Sequence, residues 1–246
     1  MRMFRKITIA ALIAVLALGL SGCIVRRAED VDNRTETRDV SKFDEVDFSG
    51  YGRVEVVQGD TYELELNGPA DLLDKIKTEV HGDTLYIGRD AGWEIWLFGM
   101  GDRKIDVTIT VPTLARMKVA GAGDVIIDGL ESEAFEFDLS GAGTLRGEDL
   151  RLGDLVVDMS GAGTASLSGR VDDQEIVISG AGEYEGGDLE SKRTSVDMSG
   201  AGNATVWASE SLDIQASGAG SVKYWGDPDV NQDVSGAGTV HGLGDK

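Results

Sequence analysis

Cysteine, histidine and proline are almost missing from these 246 residues, which hold one Cys, two His and three Pro. A lone thiol, Cys23, cannot close an internal disulfide, so the fold stands without covalent staples. His81 and His241 both sit beside a glycine in turn-like sequence, a poor start for a His-based site. No Gly-x-Ser-x-Gly, His-Glu-x-x-His or phosphate-loop motif occurs. Basic residues are also few, 23 Lys and Arg against 44 Asp and Glu. With so many acids, a pair of neighbouring carboxylates arises by chance and identifies no acid–base couple. These shortages argue against an enzyme, and no cofactor is implied.

There is one long apolar run, residues 7–20, preceded by Arg2, Arg5 and Lys6. It is short for a membrane span and has the flanks of a secretory signal. It ends in Leu20-Ser21-Gly22-Cys23, which resembles the bacterial lipobox, so residues 1–22 are expected to be removed and Cys23 lipidated. Ile24 follows where inner-membrane retention commonly uses Asp, which points to the outer membrane. Loss of three basic residues leaves 20 against 44 acids, a net charge of −24. Such a surface repels phosphate backbones, so nucleic acid is excluded as a partner. The expected contacts are the membrane, through the lipid, and a glycan or an envelope protein.

What the chain has in excess is glycine, 34 residues of it, arranged with a period. Ser-Gly-Ala-Gly begins at Ser140, Ser160, Ser179, Ser199, Ser217 and Ser235. A near copy begins at Ala120 and a distant one, Ser-Gly-Tyr-Gly, at Ser49. From Ala120 the spacings are 20, 20, 19, 20, 18 and 18 residues. A fixed period near 20 marks a repeat architecture. One residue before each motif stand Val119, Leu139, Met159, Ile178, Met198, Ala216 and Val234. Three before stand Met117, Phe137, Val157, Ile176, Val196, Ile214 and Gln232. The column between them is mostly polar: Lys118, Asp138, Asp158, Val177, Asp197, Gln215 and Asp233. This is strand alternation repeated in register, with one buried face.

The expected fold is all-β, a right-handed parallel β-helix (β-solenoid) with about 18–20 residues per turn. The glycines form corners, where positive φ is tolerated, and the Ala between them stays small in the same crowded place. The motif serines bond backbone or one another. A propeller of half-blades is the competing reading, but seven or eight half-blades close poorly. The domain boundaries read as 1–22 signal, 23–41 lipidated tether, 42–112 N-terminal β region and cap, and 113–246 solenoid. Within the N-terminal region Ala70–Val80 has helical spacing, with an extended alternative because Ile76, Thr78 and Val80 also alternate.

Val111-Pro112, Leu114 and Met117 to Val125, followed by regular Ser-Gly-Ala-Gly turns, carry a resemblance. Over residues 42–242 the chain resembles the bacterial auto-transporter adhesin head domain, also called the head GIN domain. The resemblance implies an exported or lipid-anchored β-helical protein and brings no catalytic residues with it.

Three groups are candidate sites. Trp93, Trp96 and Phe98 lie in an apolar stretch between two strands. They form either a ligand-stacking platform or a cover over the N-terminal end of the solenoid. Asp138, Asp158, Asp197 and Asp233 form an acidic column that either is solvated or meets Ca²⁺, without the Gly-Gly-x-Gly-x-Asp motif of calcium rolls. Trp207 and Trp225 make an aromatic patch or pack at an edge. The functional expectation is a non-enzymatic binding, adhesin-like envelope module. The alternatives are a self-associating structural protein and a polysaccharide-cleaving β-helix.

Overall fold

A computed structural model describes residues 32–88 and 104–246. The expected lipidation at Cys23 and the Trp93, Trp96 and Phe98 platform lie outside the described residues. Residues 33–246 form one compact unit, a β-solenoid of about six turns.

The coil starts earlier than the repeat suggests. Strand β2 (Glu45–Gln58) lies parallel to β7 (Arg116–Asp128), in register from Glu45–Arg116 to Val57–Asp128. Ser49-Gly50-Tyr51-Gly52 therefore stacks on Ala120-Gly121-Ala122-Gly123. The first coil is separated from the second in sequence by an excursion over residues 59–111, and that insertion hides the period. The excursion holds β3 (Glu63–Pro69), the one-turn helix α1 (Ala70–Leu73), β4 (Lys77–His81), β5 (Thr84–Gly88) and β6 (Ile105–Val111). Strands β5 and β6 pair with the two halves of β2 on the side away from β7.

The helix reading of 70–80 holds for one turn only. Leu72 and Leu73 are buried and Ile76 anchors the exit. The chain then extends as β4, antiparallel to β5, because a turn through Gly82 at φ 65° supplies a backbone partner. The tether expected over 23–41 is likewise shorter. Residues Asn33–Arg38 form β1, antiparallel to β3, which is itself antiparallel to β6. No apolar alternation marks β1. It is held by ladder bonds and by Arg38, whose guanidinium donates to the Leu73 and Ile76 carbonyls at 2.8 and 2.6 Å. A short, charged, antiparallel edge strand resists further pairing.

From β7 on, parallel strands follow: β8 (Glu131–Leu139), β9 (Thr144–Met159), β10 (Thr164–Ile178), β11 (Glu183–Met198), β12 (Asn203–Ala216), β13 (Ser221–Trp225), β14 (Asp229–Val234) and β15 (Thr239–Gly242). Both apolar columns point inward as expected. Met117, Phe137, Val157, Ile176, Val196 and Ile214 are buried, as are Val119, Leu139, Met159, Ile178, Met198 and Ala216. Each large side chain so buried contributes about 1.5–3 kcal/mol.

The corners follow a different rule from the expected one. Among the first glycines of the motifs, only Gly121 and Gly236 have φ in the left-handed region. The others are needed because stacked corners approach closely. A Cβ on Gly141, Gly161, Gly180, Gly200 or Gly218 would stand 1.8–2.0 Å from the carbonyl oxygen of the equivalent glycine one coil earlier. That same carbonyl accepts the N–H of the following Ala, as in Ala142 to Gly121 at 2.8 Å and Ala162 to Gly141 at 3.0 Å. The parallel ladder thus continues around the corner. The motif Ala side chains point outward and are exposed, so core crowding does not set their size. Of the motif serines, Ser140 makes a side-chain bond, to the Val119 carbonyl at 3.5 Å.

Candidate functional site

Because every outward residue stands over its equivalent in the next coil, the surface is a set of ladders. The acidic ladder reads Asp47, Lys118, Asp138, Asp158, Val177, Asp197, Gln215, Asp233 in strict register. The four sequence-selected carboxylates do share one face. They are not four neighbours: Asp138 and Asp158 adjoin, while Asp197 and Asp233 are separated from them and from each other by Val177 and Gln215. Asp138 is already engaged by Arg116, whose Nε and terminal nitrogen donate at 2.9 and 2.6 Å. Partial burial, and secondarily the charge of Asp138, push the Asp158 carboxyl above the usual range. Among the described residues no group of three or more ligating side chains converges for a metal.

Other ladders carry cross-rung ion pairs. Lys192 pairs with Asp172 at 2.7 Å and Arg170 with Glu190 at 3.2 Å, and Arg193 grips Asp173. These pairs are exposed and screened by solvent, so each contributes little to stability. Their role is to distribute the scarce cations over an acidic surface.

Concavities interrupt the ladders. A broad, shallow one of about 910 Å³ is lined by Thr113, Glu133, Arg151, Arg170 and Asp172 among others. A trough of about 410 Å³ runs past Arg146, Glu148, Ser166, Ser168, Glu185 and Thr205 to Gly187 and Asp188. At its end stand Trp207 and Trp225, register partners on adjacent rungs. They are half-buried, so the two sequence alternatives meet: an aromatic patch at an edge. Lys246 lies over them, its Nζ 5.1 Å from the Trp207 ring centre and 6.0 Å from that of Trp225. The same ammonium donates to the Gly187 carbonyl at 2.5 Å and pairs with Asp188. Sequence reading missed Lys246 and Asp188, because nothing local reports a contact closed over 58 residues.

Inside the coil, below this step, the core turns polar. The Tyr184 hydroxyl donates to Gln174 at 2.8 Å, Gln174 donates to Thr194 at 3.0 Å, and Thr194 and Ser191 share a bond of 2.6 Å. Ser191 also donates to the Trp207 carbonyl at 2.7 Å. Full burial drives the Tyr184 hydroxyl far up, so it stays protonated and serves as a donor. The network ties three coils together.

Comparison with known proteins agrees with this architecture. A crystal structure of a "putative adhesin" from Bacteroides fragilis superposes with a TM-score of 0.78 at 27% identity, covering 86% of this chain and 97% of that one. A "putative lipid binding protein" from Parabacteroides distasonis shares the fold with a TM-score of 0.68 at 21% identity, over 87% and 98% of the two chains. A "putative adhesin" from Parabacteroides merdae does so with a TM-score of 0.60 at 18% identity, over 86% and 96%. Among curated proteins no relative matches. The model of the family described as "putative auto-transporter adhesin, head GIN domain" matches residues 42–228, from just before β2 to just past the glycine corner at Ser217, and the chain belongs to that family.

Proposed function

We propose that the chain is a lipid-anchored binding module of the bacterial cell envelope, held at the outer membrane through Cys23. It engages a glycan or an envelope protein without transforming it. The observation that carries the reading is the strict register of the outward ladders, which stacks equivalent positions every 4.8 Å or so along one face. Such an array suits a repetitive or extended ligand better than a single small molecule. Family membership and the Leu20-Ser21-Gly22-Cys23 sequence support the envelope address.

The test uses a panel of envelope and extracellular polysaccharides, with and without Ca²⁺, and records both retention and chain length. Retention without shortening is expected. Shortening would replace the proposal with a polysaccharide-cleaving β-helix. No retention together with oligomers would favour a self-associating structural protein. Separately, Cys23→Ala should move the protein out of the membrane fraction; a variant that still sediments with membranes overturns the anchor.

A further inference from the structure

The coil shortens from 20 residues (Ser179 to Ser199) to 18 (Ser199 to Ser217): three residues are lost at one place and one is returned at Ser209-Glu210. Glu185 faces Thr205 and Glu190 faces Trp207, so residues 186–189 of β11 stand against Val206 alone on β12. Leu189 turns inward and is buried, while Gly187 and Asp188 overhang the shorter coil. Both residues line the trough.

What meets there is a recognition set for a cation. Trp207 and Trp225 alternate with inward residues such as Val206 and Ala208, so their indoles face out and serve no core position. Gly187 keeps the floor open: a Cβ there would stand 3.2 Å from Thr205 and 3.6 Å from the Trp225 ring. A π face, a backbone carbonyl and a carboxylate converge on one ammonium, that of Lys246, which matches the three donors of a lysine head and its attraction to aromatic faces. The remainder of the trough adds Glu148 and Glu185 against one cation, Arg146.

The segment that carries the present occupant makes few backbone bonds. Residues 243–246 are tied to the coil by two backbone bonds, Leu243 to the Tyr224 carbonyl at 2.8 Å and Gly226 to the Gly244 carbonyl at 2.9 Å. The Lys246 side chain is 30% exposed and Asp188 is 77% exposed. We propose that Trp207, Trp225, Asp188 and the Gly187 carbonyl form a receptor for the ammonium of a lysine-bearing polypeptide, with Lys246 as its exchangeable intramolecular occupant. The proposal rests on the binding-module reading only in requiring an external partner. It assigns that partner a chemistry, a basic segment whose further lysines lie along the acidic trough.

The experiment measures binding of fluorescein-labelled hexalysine to the full chain in nonionic detergent at physiological salt. Lys246→Ala removes the competitor and should tighten binding roughly three- to tenfold. In that background, Trp207→Leu, which leaves the net charge alone, and Asp188→Asn should each reverse the gain. Glu175→Gln, an exposed charge elsewhere on the coil, should leave the affinity within about twofold. Equal affinity of Lys246→Ala and the unaltered chain overturns the proposal. So does a gain that survives Trp207→Leu and Asp188→Asn alike, which would mark general attraction to an acidic surface. Displacement of the label by glucosamine oligomers but not by unlabelled hexalysine would overturn the polypeptide in favour of an amino sugar. Failure here with a glycan retained on the polysaccharide panel refutes this site alone and leaves the binding module standing.

Discussion

The coils in the middle of the solenoid and the coil at its C-terminal end carry the same motif and different burial. Around Ser160, the flanking Val157, Met159 and Ala165 are all fully buried. Around Ser235, the equivalent Gln232 and Val234 are exposed, Val234 by 38%, and Val240 is half-buried. The reason is neighbours. Strands β9 to β12 have a rung on each side, whereas β14 and β15 pair on one side only, with β12 and β13. An inward position in a solenoid is therefore buried by the stack as much as by its own coil, and the motif alone does not guarantee it. The N-terminal end meets the same problem differently: the half-coils β5 and β6 give way to the antiparallel β4, β3 and β1. At the C-terminal end the inner columns decline through Ala216 to Gln232, and residues 243–246 fold back.

The largest test of this contrast is deletion of matched inner side chains. Leu139→Ala removes a buried side chain between stacked rungs and should cost about 2–5 kcal/mol. Val234→Ala, in the same strand segment of the last coil, should cost less than about 0.5 kcal/mol. Urea unfolding followed by circular dichroism measures both; comparable losses would mean that the last coil is as well packed as the middle.

A second pair separates the corners. In Gly161→Ala the new methyl would meet the Gly141 carbonyl oxygen at 1.8 Å, backbone against backbone, and neither can yield without breaking the ladder. A loss of about 3 kcal/mol is expected. Gly238→Ala puts its methyl 3.3 Å from the nearest atom, the Gly220 carbonyl oxygen, and should change stability by about 0.5 kcal/mol at most. Tolerance of Gly161→Ala would show that close approach of the stacked corners does not require glycine there.

Legibility in the sequence followed the same divide. The inner columns were readable because an in-register repeat turns one weak alternation into six aligned ones, and Phe137, Val157 and Ile176 confirm each other. The corner glycines were placed correctly, but their cause was not, since only the stacked backbone shows the 1.8–2.0 Å approach. Strand β1 was read as tether because Asn33–Arg38 has no apolar face; its order comes from a partner 30 residues away and from Arg38. The one-turn helix was over-extended because Ile76 and Val80 fit both periods and the deciding partner, β5, is a matter of pairing. The acidic column was legible as a column. That it breaks into a pair and two single carboxylates was readable in principle from Val177 and Gln215. The meeting of Asp188, Trp207, Trp225 and Lys246 depends on a change of coil length at one corner, which spacing reports and side-chain identity does not.

The smallest effect sharpens the contrast electrostatically. Asp158 sits mid-stack, with Asp138 on one side and Val177 on the other, and its carboxyl is raised by partial burial first and by Asp138 second. A carboxyl raised in the fold favours the protonated form there. Its contribution is fully present below the unfolded-state value, near 3.8, and is lost as pH rises through the higher folded value. At pH 7 the ionised Asp158 is therefore a net cost, discounted because the site is mostly solvated. Asp158→Asn should raise the unfolding midpoint by roughly 1–2 °C at pH 7, and the gain should vanish near pH 3, where the wild-type carboxyl is also neutral. Asp233→Asn, on the exposed last rung beside uncharged Gln215, should raise the midpoint at pH 7 by less than Asp158→Asn does. Equal gains at both positions would mean that relief of the overall negative charge, rather than the stacked neighbour, sets the effect.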